Sequence, residues 1–303
     1  MKKDILTLLD LEKTDFDHLF QRAAELKKRN KQGIVESRLA GKTLGLLFEK
    51  ASTRTRVSFE AATSKLGGNS LFISTADTQM SRDEPLRDTA RVLSGYLDAV
   101  AIRTYSQKWV EEFAGFAEIP VINALTDGYH PTQILCDLFT VVEYKGGYEG
   151  LKITWVGDGN NVAHSWINAA AVLGLELHLA CPKGYEPEAS VLDNAQSIGG
   201  SIITVTTDPV AAVTGAHVVN TDVWASMGQE GQQDERKKVF KAYQVNRELM
   251  HHAAKDAMVL HCLPAHRGEE ITEAVLEGAS SAVWDQAENK MHMAAAILDL
   301  LLA

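Results

Sequence analysis

Three hydroxyls and two arginines stand within five residues at Ser52-Thr53-Arg54-Thr55-Arg56, which Glu49-Lys50-Ala51 join to the apolar run Thr43-Leu44-Gly45-Leu46-Leu47-Phe48. That placement reads as a strand turning into a helix, with Ser52 as a good N-cap. A helix start offers unpaired N–H groups and the positive end of the helix dipole. Hydroxyls and guanidinium groups added there make a phosphate site. It is not a P-loop, because the glycines and the Gly-Lys-Ser/Thr run are missing. The competing reading is a capped helix whose arginines pair with surface carboxylates. Two arginines flanking a threonine at such a turn favour the anion, and Arg54 ranks above Arg56, which suits a structural ion pair.

Other polar residues also fall just after apolar runs. Arg103 closes one, and His130-Pro131-Thr132-Gln133 follows another. Proline at a first helical turn leaves His130 beside the cap and Gln133 in the first turn. A carbonyl carbon is attacked more easily when donors face its developing oxyanion, which Arg103, His130 and the Thr55 hydroxyl can do. Gln133 offers an acceptor to an NH2 group. Taken alone, His130 suits a cap or a core position better than catalysis.

Further along, Gly157-Asp158-Gly159-Asn160-Asn161 opens like a dinucleotide fingerprint, but the third glycine would fall at Val162, so an oxidoreductase is the poorer reading. Asn160 and Asn161 are both candidates to cap the next helix or to meet a ligand. Asp222, four residues before Ser226-Met227-Gly228, is either a turn residue or a carboxylate for an ammonium group. Cys262, in His261-Cys262-Leu263-Pro264, reads alone as a small buried hydrophobe.

These residues need elements to hold them. Strands are expected over 43–48, 70–74, 99–103, 121–125, 152–156, 176–180, 201–206, 218–221, 258–262 and 282–284. Helices are expected over 15–29, 53–66, 85–97, 107–116, 131–145 and 289–302, with others between the later strands. Short, nearly continuous apolar strands alternating with helices indicate parallel sheets covered on both faces. The fold class is therefore α/β: two doubly wound lobes, 1–145 and 146–303, divided near Gly146-Gly147. The amphipathic last segment is expected to cross back onto the first lobe. Doubly wound sheets bind ligands at the C-terminal ends of their strands, which is where the candidate residues fall.

Composition narrows the class. The chain has 303 residues, 45% of them hydrophobic and 23% charged, the balance of a globular protein. Its net charge of −10 argues against nucleic acid, which needs a concentrated basic face. Cys136, Cys181 and Cys262 are far apart and lack metal-ligand spacing, so reduced thiols in a cytoplasmic protein are expected. No signal peptide or membrane span is legible.

The run from Phe48 to Glu60, Phe-Glu-Lys-Ala-Ser-Thr-Arg-Thr-Arg-Val-Ser-Phe-Glu, resembles the carbamoyl-phosphate motif of the aspartate and ornithine carbamoyltransferase family. His130-Pro131-Thr132-Gln133 resembles the family's second motif, Asp222 to Gly228 its ornithine-closing loop, and His261-Cys262-Leu263-Pro264 its ornithine signature. The likeness runs along nearly the whole chain. It implies a carbamoyl-phosphate-binding domain at 1–145 and an ornithine-binding domain at 146–303. It also implies that Ser52, Thr53, Arg54, Thr55, Gln79, Arg103, His130, Gln133, Cys262, Leu263 and Lys290 meet carbamoyl phosphate. Arg103, His130 and Cys262 are the catalytic candidates. Asn161, Asp222, Ser226 and Met227 meet ornithine. Lys290 stands where the family usually has arginine, keeping the charge but losing the bidentate fork.

The chemistry so implied is transfer of a carbamoyl group to the δ-amine of L-ornithine by direct displacement. It needs no cofactor and no metal, and Cys262 is not a covalent nucleophile. The resemblance further implies a homotrimer or an assembly of trimers, and arginine biosynthesis or its catabolic reverse. The nearest alternative is a carbamoyltransferase for putrescine or N-acetylornithine. More distant ones are a dinucleotide-dependent oxidoreductase and a non-catalytic relative.

Overall fold

The computed structural model describes residues 3–75, 84–225, 231 and 233–303. They fall into two compact units, Met1–Phe139 with Glu288–Ala303, and Thr140–Ala287. Each unit has one wholly parallel sheet.

In the first unit, β1 (Thr43–Phe48), β2 (Asn69–Ser74), β3 (Ala99–Arg103) and β4 (Val121–Leu125) lie in the order β2-β1-β3-β4. Central β1 and β3 are buried almost throughout, whereas edge strand β2 is half exposed. This matches the continuous apolar runs of the central strands, since helices must cover both faces of a parallel sheet. Those helices are α1 (Lys13–Lys31), α2 (Thr53–Lys65), α3 (Leu86–Ser94) and α4 (Gln107–Phe116). Leu47, Val100, Ile102, Val110, Phe113 and Val121 form part of one core cluster. Gly45 in β1 lets Leu97 pack closely, since a Cβ there would lie 2.5 Å from the tip of the Leu97 side chain and force it to shift.

In the second unit, β5 (Lys152–Val156), β6 (Glu176–Ala180), β7 (Ile202–Thr206), β8 (Val218–Thr221) and β9 (Met258–His261) take the order β7-β6-β5-β8-β9. Between them lie α6 (Asn161–Leu173), α7 (Ala189–Ile198) and the short α8 (Pro209–Val213), then α9 (Gln233–Phe240), α10 (Arg247–Met250) and α11 (Glu273–Leu276). Asn160 caps α6, and Gly174 ends it in the left-handed conformation at φ 69°.

Two long helices straddle the division of the chain: α5 (Pro131–Lys145) and α12 (Val283–Leu302). The end of α12 packs on the first unit as expected, with the Asp299 carboxylate held by Arg22 and Arg38. One expectation fails. Residues 282–284 are not a strand: Ser281 makes a single bridge to Val259, and Val283 already opens α12. No glycine or proline interrupts 283–302, so the amphipathic pattern recognised from Asn289 extends two turns toward the N-terminus, and three residues are too few to hold a strand against it.

In both sheets the order reverses beside the first strand. β2 flanks one side of β1 and β3 the other; β6 flanks one side of β5 and β8 the other. Such reversals open a crevice at the C-terminal ends of the strands. Phe48 pairs with Arg103 and Arg103 with Leu125, so the segments after β1, β3 and β4 leave at one level. Val156 pairs with Thr221 and Thr221 with His261, which does the same for those after β5, β8 and β9.

Candidate active site

In the first unit, Ser52 is the N-cap of α2, its Oγ accepting the Thr55 N–H at 3.3 Å. A hydroxyl that accepts still has a proton to give, so capping leaves Ser52 able to donate to an anion. Thr53 and Arg54 are exposed on the first turn, and Thr55 is buried. Arg56 instead bonds Glu60 at 2.9 Å and stacks on Phe72, its guanidinium 3.6 Å from the ring centroid.

Arg103, at the end of β3, is buried next to this loop, since Glu49 N–H donates to the Arg103 carbonyl at 2.8 Å. His130 precedes α5 and is also buried. Burial first, then the charges of Lys290 and Arg103, hold its imidazole well below its ordinary value. The ring is therefore neutral near pH 7. The Thr132 hydroxyl lies 3.4 Å from Nδ1. If that nitrogen accepts, the ring proton sits on Nε2 as a neutral donor.

Gln133 is buried on α5, which is enclosed on all sides along its first ten residues. A buried amide must be paired. Its Nε2 donates to Asp137 Oδ1 at 2.7 Å, and its Oε1 accepts from Lys290 Nζ. That network fixes which end of the amide is oxygen. Lys290 thus reaches the His130–Gln133 segment from α12, and the cations Arg103 and Lys290 act on the same buried imidazole.

In the second unit, Asn160 Oδ1 accepts from the N–H groups of Val162 and Ala163 at 3.0 and 3.2 Å, and its Nδ2 donates to Asp222 Oδ2 at 3.2 Å. Asn161, one residue on, is partly exposed in the first turn of α6. Asp222 is buried just past β8, where Oδ1 accepts the Val223 N–H and the Cys262 thiol, each at 2.8 Å. The segments after β5, β8 and β9 therefore meet at one carboxylate. Cys262 lies just beyond β9 rather than within it, and it is only partly buried. Behind it, His261 Nδ1 accepts the Leu263 N–H at 2.9 Å, and Nε2 faces the fully buried Glu270 at 3.0 Å. Leu263 takes φ 58°, a conformation that a branched side chain rarely adopts, held here by that bond.

The first unit thus offers a cationic anion cradle and the second an acidic amine receptor. Comparison with known proteins divides the chain along its length, with residues 288–301 of the first unit falling in the second match. Residues 3–143 match the aspartate/ornithine carbamoyltransferase carbamoyl-P binding domain, and residues 149–301 match the Asp/Orn binding domain of the same enzymes. The chain belongs to the aspartate/ornithine carbamoyltransferase family. It is 57% identical over 302 residues to the ornithine carbamoyltransferase of Geobacter sulfurreducens, with 100% of both chains covered. Identity is 58% to that of Desulfotalea psychrophila, again with 100% of both covered. The ornithine carbamoyltransferase structure from Pyrococcus furiosus superposes with a TM-score of 0.94 at 48% identity, covering 99% of this chain and 97% of that one.

Within this carbamoyltransferase fold, Ser52 to Thr55 share one helix start; Arg103, His130, Gln133 and Lys290 share one buried cluster; and Asp222 and Cys262 are in contact. Gln79, Ser226 and Met227 lie outside the described residues. Three further residues brace these segments, each within its own unit. Asp137 orients Gln133 from one helical turn along, a spacing visible in the sequence. Glu270 anchors His261. Arg236 Nη1 joins Asp158 Oδ2 at 2.8 Å to the Trp224 carbonyl at 2.7 Å, so it latches the segment after β8 to the one after β5. Burial raises the Asp158 carboxyl above its ordinary value, and the Arg236 charge opposes that shift. Nothing local marks Arg236 in the sequence, because Asp158 lies 78 residues away.

Proposed function

We infer that the chain is an ornithine carbamoyltransferase, moving the carbamoyl group of carbamoyl phosphate to the δ-amine of L-ornithine and giving L-citrulline and phosphate. The observation that carries the acceptor is similarity to ornithine carbamoyltransferases over the full length of the chain. It is supported by the acidic receptor after β8. Asp222 suits an ammonium or amine, whereas aspartate as acceptor would need basic groups.

In this reading the segment assigned as 1–145 holds carbamoyl phosphate and 146–303 holds ornithine. The α2 start at Ser52, Thr53, Arg54 and Thr55 takes the phosphate, with Gln79 beside it. Arg103, neutral His130 and the Thr55 hydroxyl donate to the carbonyl oxygen as it gains charge. Gln133 accepts from the carbamoyl NH2 through the second lone pair of its Oε1, while Lys290 keeps that oxygen in place. Main-chain carbonyls at Cys262 and Leu263 accept from the carbamoyl NH2 and the attacking amine. Asn161, Asp222, Ser226 and Met227 position ornithine. Asn161 is favoured over Asn160 because the Asn160 oxygen is already committed to capping α6.

The carbon–nitrogen bond forms as the carbon–oxygen bond to phosphate breaks, and phosphate takes the amine proton. Only the neutral amine is nucleophilic, and a free alkylamine has a pKa of about 10.4. The rate therefore rises with pH until the bound amine is deprotonated.

The protein is proposed to work in the cytoplasm as a trimer or an assembly of trimers, without nucleic acid. Among the described residues no helix is long and apolar enough to cross a membrane. Assembly is supported by exposed Val57, Leu71, Phe72, Val92 and Tyr96 on and around α2, β2 and α3.

The test is citrulline formation from carbamoyl phosphate and ornithine, run beside aspartate, putrescine and N-acetylornithine. Ornithine should give the highest kcat/KM; a higher value for any of the others would overturn the assignment.

A further inference from the structure

Glu270 has no exposed surface, yet it carries a carboxylate. Its Oε1 accepts from His261 Nε2 at 3.0 Å and from the His266 N–H at 2.6 Å. Its Oε2 is buried and, among the described residues, has no hydrogen-bond partner. A buried carboxylate oxygen left so is costly, and an ordered water or a bound ion is the ordinary explanation. Next to it stand Glu269 and exposed His266. One ring nitrogen of His266 and one carboxylate oxygen from each glutamate lie within 4.8 Å of one another.

The segment holding them is built rather than loose. The Glu269 N–H donates to the His266 carbonyl and the Gly268 N–H to the Ile271 carbonyl, each at 2.8 Å. Gln244 Nε2 donates to the carbonyls of Gly268 and Glu269 at 2.9 and 2.8 Å. The local charge is unbalanced. Lys237 meets Glu269 at 2.9 Å, but Arg267 is turned away to Glu273 and Glu277. Two carboxylates therefore face one ammonium and the imidazoles of His261 and His266.

We propose that His266, Glu269 and Glu270 form a binding site for one divalent transition-metal cation of the zinc class. One imidazole and two carboxylates are a common ligand set for zinc, with water completing a tetrahedron. Metal–ligand bonds of about 2.1 Å place tetrahedral ligand atoms about 3.4 Å apart, so small side-chain rotations close the site. The cation takes a Glu270 oxygen, and Oε2 is the one that no hydrogen bond occupies. A second grouping, Asp222, His261 and Cys262, is as close, but both ring nitrogens of His261 are engaged, by Leu263 N–H and by Glu270. It offers no third ligand without breaking that pair. Neither the family assignment nor the transfer reaction calls for this site.

The test is titration of the metal-free full chain with Co²⁺, followed by visible absorption and then Zn²⁺ displacement. One Co²⁺ per chain should bind with tetrahedral-type bands, and Zn²⁺ should remove it. His266→Ala and Glu269→Gln should each weaken binding by more than about tenfold, while Cys262→Ser should leave it unchanged. His266→Ala keeps the main-chain N–H that Glu270 accepts; should it fail to fold, Glu269→Gln carries the test by itself. No saturable binding, binding untouched by Glu269→Gln, or binding lost in Cys262→Ser would each overturn the proposal.

Discussion

The two units solve opposite electrostatic problems with the same architecture. In the first, the crevice beside β1 and β3 gathers positive charge: the α2 start carries Arg54, and Arg103 and Lys290 act on one neutral imidazole. In the second, the crevice beside β5 and β8 gathers carboxylates, Asp222 and Asp158, and spends its hydrogen bonds holding them. The first unit is suited to a ligand that arrives charged. The second must keep an acid in place without neutralising it, hence three donors on Asp222 and a buried arginine on Asp158. A doubly wound sheet thus fixes where a ligand sits, and the residues closing each strand decide its sign.

This contrast can be broken or sharpened by substitution. The largest effect is expected from Arg54→Ala, which removes two charge-assisted bonds to phosphate. At about 1.5–3 kcal/mol each, this should weaken carbamoyl-phosphate binding by at least about a hundredfold. Unchanged affinity by calorimetry would remove Arg54 from the anion cradle. Asp222→Asn keeps the shape and removes the charge, so the KM for ornithine should rise by roughly 10- to 100-fold with carbamoyl-phosphate affinity intact. Loss on the phosphate side as well would mean the two sites are not chemically separate.

Arg236→Lys keeps the charge but loses the planar guanidinium that lies against Tyr185 and Phe240 and sets Nη1 between Asp158 and the Trp224 carbonyl. An increase of about tenfold in the KM for ornithine is expected, with a smaller change in kcat. An equal fall in kcat would indicate a role beyond positioning. The smallest effect concerns pH and His130. Its folded value lies below its unfolded value of 6.5, so the unfolded chain binds the proton more readily as pH falls through that point. Stability should therefore be fully present above pH 6.5 and decline below it, by at most about 1.4 kcal/mol per pH unit from this residue. Chemical denaturation of His130→Gln should show a shallower decline; an identical slope would mean that His130 is protonated in the fold.

How much could be read in advance divides along the same line. The first cradle is local: Ser52 caps a helix whose first turn carries the threonines and Arg54, all a short way beyond an apolar strand. Gln133 and His130 likewise flank a proline that starts a helix. The acidic receptor is not local. Asn160, Asp222 and Cys262 are separated by 62 and 40 residues, and only their positions after strands were legible. The choice between Asn160 and Asn161 remained open in the sequence, because neighbouring asparagines are equally able to cap; the geometry commits Asn160 to that task. The missed start of α12 has the same origin, since Ser281 to Trp284 is apolar enough for either period and only its neighbours choose.

By itself, the amino-acid sequence determined the alternation of strands and helices, the helix starts that carry donors, and the polar residues that close each strand. These depend on spacing over a few residues, where propensity and capping act directly. The tertiary structure alone decided that Lys290 reaches Gln133 from 157 positions away, that Arg236 bridges two segments, and that His130 is neutral. Charge, burial and hydrogen-bond partners at these points come from chain segments brought together by folding, and no local pattern encodes that proximity.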